Sequence, residues 1–94
     1  MPWTITLRIH ALQRMLLWEV DGVTLRTVLE TGETIESDPA DLPFPRRLVL
    51  GYDARGPIHV AVADDIGSVT WIVITVYRPN LEQWLPGFRQ RRRL

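Results

Sequence analysis

The sequence predicts an α+β domain, with two N-terminal helices packed on a four-stranded antiparallel meander and a short C-terminal helical turn. Three observations carry this. Apolar residues recur at three- and four-residue spacing up to about Glu30, the texture then shifts to short β-rich runs, and turn residues separate those runs. With 94 residues, 46% of them hydrophobic, the chain has room for a single domain over 1–94 and enough apolar matter to build its core.

The first helix is expected over Thr4–Val20, where Ile5, Ile9, Leu12, Leu16 and Val20 draw one apolar stripe and Thr4 can serve as N-cap. A second follows over Val23–Glu30, capped by Asp21 and stopped by Gly32. Glu33–Glu36 reads as a short edge strand. Three prolines then make 38–45 a loop, because proline removes a donor and fixes φ. Strands are expected at Arg47–Tyr52, Ile58–Ala63 and Val69–Tyr77, the last being the longest, the most β-branched and hence central. Asn80 can cap a helical turn over Leu81–Trp84.

Composition excludes several classes. With no cysteine there are no disulfides, thiolate metal sites or cysteine nucleophiles. No apolar run reaches the ~18 residues of a membrane span. The start of the chain lacks a basic region followed by an apolar block, so a cytoplasmic location is expected. The 11 basic residues are all arginine and balance 11 acidic ones, a net charge of zero that argues against a general nucleic-acid binder. Local arginine sites remain open, since a guanidinium grips phosphate through two hydrogen bonds. No histidine–aspartate spacing resembles a zinc signature and no glycine-rich phosphate loop is present, so neither metal nor cofactor is expected.

His10 and Arg14, four apart, share a helix face. Alternation sends Ile58, Val60 and Val62 to one side of their strand and His59, Ala61 and Ala63 to the other, where His59 either lies on a shallow floor between small alanines or is half-buried and satisfied by a neighbouring carbonyl. In the last strand the same rule groups Trp71, Val73, Thr75 and Tyr77 against Ile72, Ile74, Val76 and Arg78. A meander lets Tyr77 share a face with His59. Histidines, a phenol and arginines together suit metal-free RNA cleavage, in which a base takes the 2′-hydroxyl proton, an acid protonates the leaving oxygen and guanidinium groups stabilise the phosphate. Arg47, opening a strand after the proline loop, is a further phosphate candidate. The terminal arginines read as a solvated tail or as a segment tied down by the domain or a partner.

The stretches His10-Ala-Leu-Gln-Arg14-Met15, Thr31-Gly-Glu-Thr-Ile-Glu36, Arg47-Leu-Val-Leu-Gly51, Pro57-Ile-His59-Val-Ala-Val62 and Ile74-Thr-Val-Tyr77-Arg-Pro79, in this order, resemble the domain of unknown function 4258 (DUF4258) family from about Ile9 to Arg92. That family is similar in layout to RelE- and BrnT-like toxins that cleave RNA, a fold-level analogy. The resemblance places its histidine–arginine motif on His10 and Arg14, its proline-x-histidine strand on Pro57 and His59, and its tyrosine on Tyr77. Where relatives often carry arginine then glycine after the first helix, this chain has Trp18-Glu19. Two functions follow. One is a metal-independent endoribonuclease with His10, His59 and Tyr77 as catalytic groups and Arg14, Arg47 and Arg78 holding phosphate, partnered by RNA and an antitoxin-like protein. The other is a non-catalytic interaction module, homodimeric or bound to another protein, anchored by Trp3, Trp18, Trp84 and Phe88.

Overall fold

The computed structural model describes residues 2–93. It has two helices and a five-stranded mixed sheet: β1 (Thr4–Leu7), α1 (Ile9–Trp18), α2 (Gly22–Thr31), β2 (Glu33–Asp38), β3 (Arg46–Asp53), β4 (Gly56–Asp65) and β5 (Thr70–Tyr77), with strand order β1-β5-β4-β3-β2. The α+β class, both helices and the β2–β5 meander agree with expectation. No described helix is long and apolar enough to cross a membrane.

Three expectations are corrected. The longest and central strand is the ten-residue β4, and not β5. The segment Thr4–Leu7 is a strand, pairing parallel with β5 from Thr4↔Thr70 to Leu7↔Val73, so the sheet is neither four-stranded nor wholly antiparallel. Thr4 is therefore no helix cap. Its alternating β-branched run, Thr-Ile-Thr, fits a pleat, and its amide donates to Val69 while that of Arg8 donates to Val73. At the other end, Leu81–Gln83 form a turn and no helix. Asn80 Oδ1 does accept from the Glu82 and Gln83 amides, as a cap would, but Trp84 goes directly into a bridge with Arg91.

Losing its first turns to β1 changes what α1 buries. Ala11 and Met15 face the sheet, and the small Ala11, fully buried, lets the helix approach closely. The predicted stripe points outward instead: Ile9 is 78% exposed, Leu12 48% and Leu16 74%, with Leu17 at 63% beside them. The core lies on the helix side of the sheet, where Leu25, Val28 and Leu29 of α2 join Val49, Ile58, Val60, Val62, Trp71, Val73 and Val76. Trp3 stacks on Trp71 with centroids 5.3 Å apart.

The helix ends follow capping rules. Asp21 accepts from the Thr24 amide at 2.7 Å as the N-cap of α2. At the end of α1 the Glu19 amide donates to Leu16 and the Val20 amide to Met15, with Val20 and Met15 both in the core; this is a Schellman motif. It requires left-handed backbone at Glu19, whose φ is 55°, a conformation that glycine adopts without strain. Glu19→Gly should therefore stabilise the fold by about 0.5–1 kcal/mol, despite losing the exposed Glu19–Arg55 ion pair. The urea midpoint checks it.

Candidate functional site

The second face of the sheet is not an open floor. Residues 80–93 fold back over it as a strap, held as a narrow hairpin by the Trp84–Arg91 bridge and by hydrogen bonds from Leu85 to Gln90 and from Arg92 to Gln83. Trp84 is 2% exposed, and its ring meets His59 edge-on at 4.4 Å while Arg91 lies over it at 4.7 Å. Three of the four terminal arginines are thus tied to the domain: Arg91 makes two hydrogen bonds to Glu36, Arg89 one to Glu33, and Arg92 one to the Leu81 carbonyl.

His59 sits beneath this strap, completely buried. Its Nε2 lies 2.9 Å from the Phe88 carbonyl, and its Nδ1 3.1 Å from the Tyr77 hydroxyl. A carbonyl oxygen only accepts, so Nε2 carries the proton and Nδ1 accepts from Tyr77. Burial holds the His59 pKa below the usual histidine value and raises that of the Tyr77 phenol. The imidazole is therefore neutral, with neither ring nitrogen facing solvent.

A bulge brings Tyr77 to this face. Ala61 pairs with Thr75 but Val62 with Val73, leaving Ile74 as an extra residue in β5. Strict alternation fails there: Trp71, Val73 and Val76 all enter the core, while Thr75 and Tyr77 join Ala61 and His59 on the strap side. The predicted meeting of His59 and Tyr77 holds; the grouping of Tyr77 with Trp71 and Val73 does not.

The six predicted site residues separate into three groups. Arg47 and Arg78 are consumed by structure. Arg47 donates through Nε and a terminal nitrogen to Asp64 and through the other to Thr34. Arg78 makes a two-pronged bond to Asp53, each at 2.9 Å, and its Nε donates to the Trp18 carbonyl, joining the ends of α1, β3 and β5. This pairing lowers the Asp53 pKa to about 2. His59 is the buried tie just described. His10, Arg14 and Tyr77 come together.

They meet because β1 ends opposite Val73, leaving β5 from Ile74 onward without a strand neighbour on that side. Along this stretch opens a cleft of about 460 Å³, lined by His10, Arg14 and Trp18 of α1, Thr75, Tyr77 and Arg78 at the end of β5, and Asn80 and Gln83 of the strap. None of these is acidic. The Asn80 and Gln83 contributions were not read from the sequence, and their amide side chains gave no signal there. Six other arginines, including Arg78, are paired with carboxylates, whereas Arg14 has no hydrogen-bond or ion-pair partner among the described residues. A carboxylate-free cleft with an unspent guanidinium and an exposed imidazole suits an anion. Among the described residues no cluster of three or more metal-ligating side chains occurs.

The proposed aromatic anchors are placed differently from expectation. Trp84 is buried, Trp3 and Trp18 pack against the core, and Phe88 is half-buried. The indole N–H of Trp18 is buried without a partner among the described residues.

Acid should destabilise the fold in two stages. The His59 pKa is depressed on folding, so its contribution is complete above the unfolded value of about 6.5 and declines as pH falls through it. The Asp53 contribution is complete above the ordinary aspartate value and is lost as pH falls toward about 2. Urea midpoints measured between pH 8 and pH 2 test both; a midpoint unchanged from pH 7 to 5 contradicts a buried neutral His59.

A family model described as a domain of unknown function (DUF4258) matches residues 7–78. No curated protein and no solved structure matches the chain significantly. The strap lies beyond the matched region, and His10, Arg14, His59 and Tyr77 lie within it.

Proposed function

The chain belongs to the DUF4258 family, and on that footing we propose that it is a metal-independent endoribonuclease of toxin type, working in the cleft between α1 and the end of β5. The observation that carries this reading is the convergence of His10, Arg14 and Tyr77 in a cleft without carboxylates. Arg14 holds the phosphate and stabilises charge growing on its oxygens in the transition state. His10 and Tyr77 are the groups that can transfer protons, one from the attacking hydroxyl and one to the leaving oxygen. Asn80 and Gln83 add neutral donors. Arg47 and Arg78 stay outside the chemistry, committed to Asp64 and Asp53. The toxin part of this reading is a fold-level analogy to RelE- and BrnT-like proteins, to which no matching solved structure links the chain.

Purified protein should cleave a mixed RNA pool in EDTA. His10→Ala and Arg14→Ala should each reduce the rate by roughly 10²-fold or more, while Arg47→Ala leaves it unchanged at a temperature where the variant is folded. Intact RNA in every lane overturns the reading.

A second reading, an interaction module, draws on a different observation. The exposed aliphatic row Ile9, Leu12 and Leu16 on α1 is the kind of surface that partners cover. It runs beside the His10 face of the same helix, so an antitoxin-like protein seated on it would also obstruct the cleft. If the row instead pairs with a second copy, sedimentation will show a dimer that Leu16→Asp converts to monomer without lowering thermal stability.

A further inference from the structure

The buried pair behind the cleft is not used in the function proposed above, except through the face that Tyr77 presents. Phe88, held in left-handed backbone with φ 59° just after Gly87, offers His59 a carbonyl that can only accept. That contact fixes the proton on Nε2 and leaves Nδ1 as an acceptor aimed at the Tyr77 hydroxyl. The single proton of Tyr77 is thereby spent on His59. Tyr77 also lines the cleft, so its oxygen has only lone pairs left to give a ligand bound there. A cleft that offers Arg14 to an anion and an obligate acceptor beside it is complementary to a ligand carrying a donor next to its phosphate.

We infer that His59 is a positioning residue that makes Tyr77 a hydrogen-bond acceptor, and that the cleft therefore selects a ribose hydroxyl adjacent to a phosphate over its deoxy counterpart. The inference deepens the ribonuclease reading and rests on it for the chemical step. In that step the 2′-hydroxyl proton passes to Tyr77 Oη as the tyrosine's own proton passes to His59 Nδ1. The 2′-oxygen bonds to phosphorus, the bond from phosphorus to the 5′-oxygen breaks, and protonated His10 supplies the proton that the 5′-oxygen takes. His59 then returns its proton to Tyr77, which releases the other through water to His10. Atoms and charges balance, and no metal or further reactant is consumed.

Two measurements test this without needing turnover. In protein labelled with ¹⁵N-histidine, the His59 ring should show a protonated Nε2 and an unprotonated Nδ1 at neutral pH. A proton on Nδ1, or averaging between tautomers, overturns the assignment. Ribonucleoside 3′-phosphates cannot be cleaved, so their binding reports recognition alone. The ribonucleotide should bind roughly tenfold more tightly than the 2′-deoxy form, the scale of one hydrogen bond to an otherwise unmet polar group. Tyr77→Phe, which keeps the ring, should abolish that preference while retaining phosphate-dependent binding. Equal binding of the two nucleotides by the unaltered protein, failure of either to bind, or a preference that survives in Tyr77→Phe overturns the inference. A ribose preference in a protein that leaves RNA intact defeats the ribonuclease reading and keeps the recognition. RNA cleavage with no ribose preference does the reverse.

Discussion

A histidine fully buried at the middle of a sheet must place both ring nitrogens, because each unmet polar group costs about 1–3 kcal/mol. His59 does so with one partner from the sheet and one from the strap, Tyr77 and Phe88. That constraint organises the second face of the domain. It requires the chain beyond β5 to turn back and deliver a carbonyl, it orients the phenol at the cleft wall, and it lets Trp84 pack against the imidazole. The buried cluster on the helix side needs no such device, since it is built of aliphatic side chains, Met15 and Trp71.

Arginine serves two purposes in this chain. Most guanidiniums act as ties: Arg78 binds three element ends, Arg47 joins β3 to β4, and Arg89 and Arg91 fasten the strap to β2. Fixed, two-pronged bonds of this kind suit arginine better than lysine, which gives the all-arginine composition a structural use. With six arginines matched to carboxylates, Arg14, which has no partner among the described residues and shares a cleft with an exposed histidine, stands out as chemistry rather than scaffolding.

Much of the architecture was legible in the sequence. Asp21 and Gly32 bounded α2, the three prolines marked the loop before β3, and the alternation of Ile58, Val60 and Val62 identified the side of β4 that joins the hydrophobic core. Two local features defeated the pattern. Ile5 falls in phase with Ile9, Leu12 and Leu16, so a strand followed by a helix imitated one longer helix; pairing with β5 decided otherwise, and periodicity carries no information about a partner remote in sequence. The extra residue Ile74 shifted the phase of β5, which a strict period of two cannot anticipate. At the site, the spacing of His10 and Arg14 placed them together. A half-buried His59 satisfied by a carbonyl was one of two readings the strand pattern allowed, but the source of that carbonyl was hidden, because the covering segment, with Pro86, Gly87 and its arginines, resembles a tail.

The acidic margin of β2 has a consequence for solubility. A sheet with free edges invites another chain to add a strand, and each edge here is blunted differently. β1 is four residues long, too short to template an extended ladder. β2 has a register shift between Thr34 and Glu36, and its Glu33 and Glu36 are clamped by Arg89 and Arg91. The strap that encloses the histidine therefore also guards that margin, bringing long, charged side chains to the strand where an aggregating neighbour would have to dock.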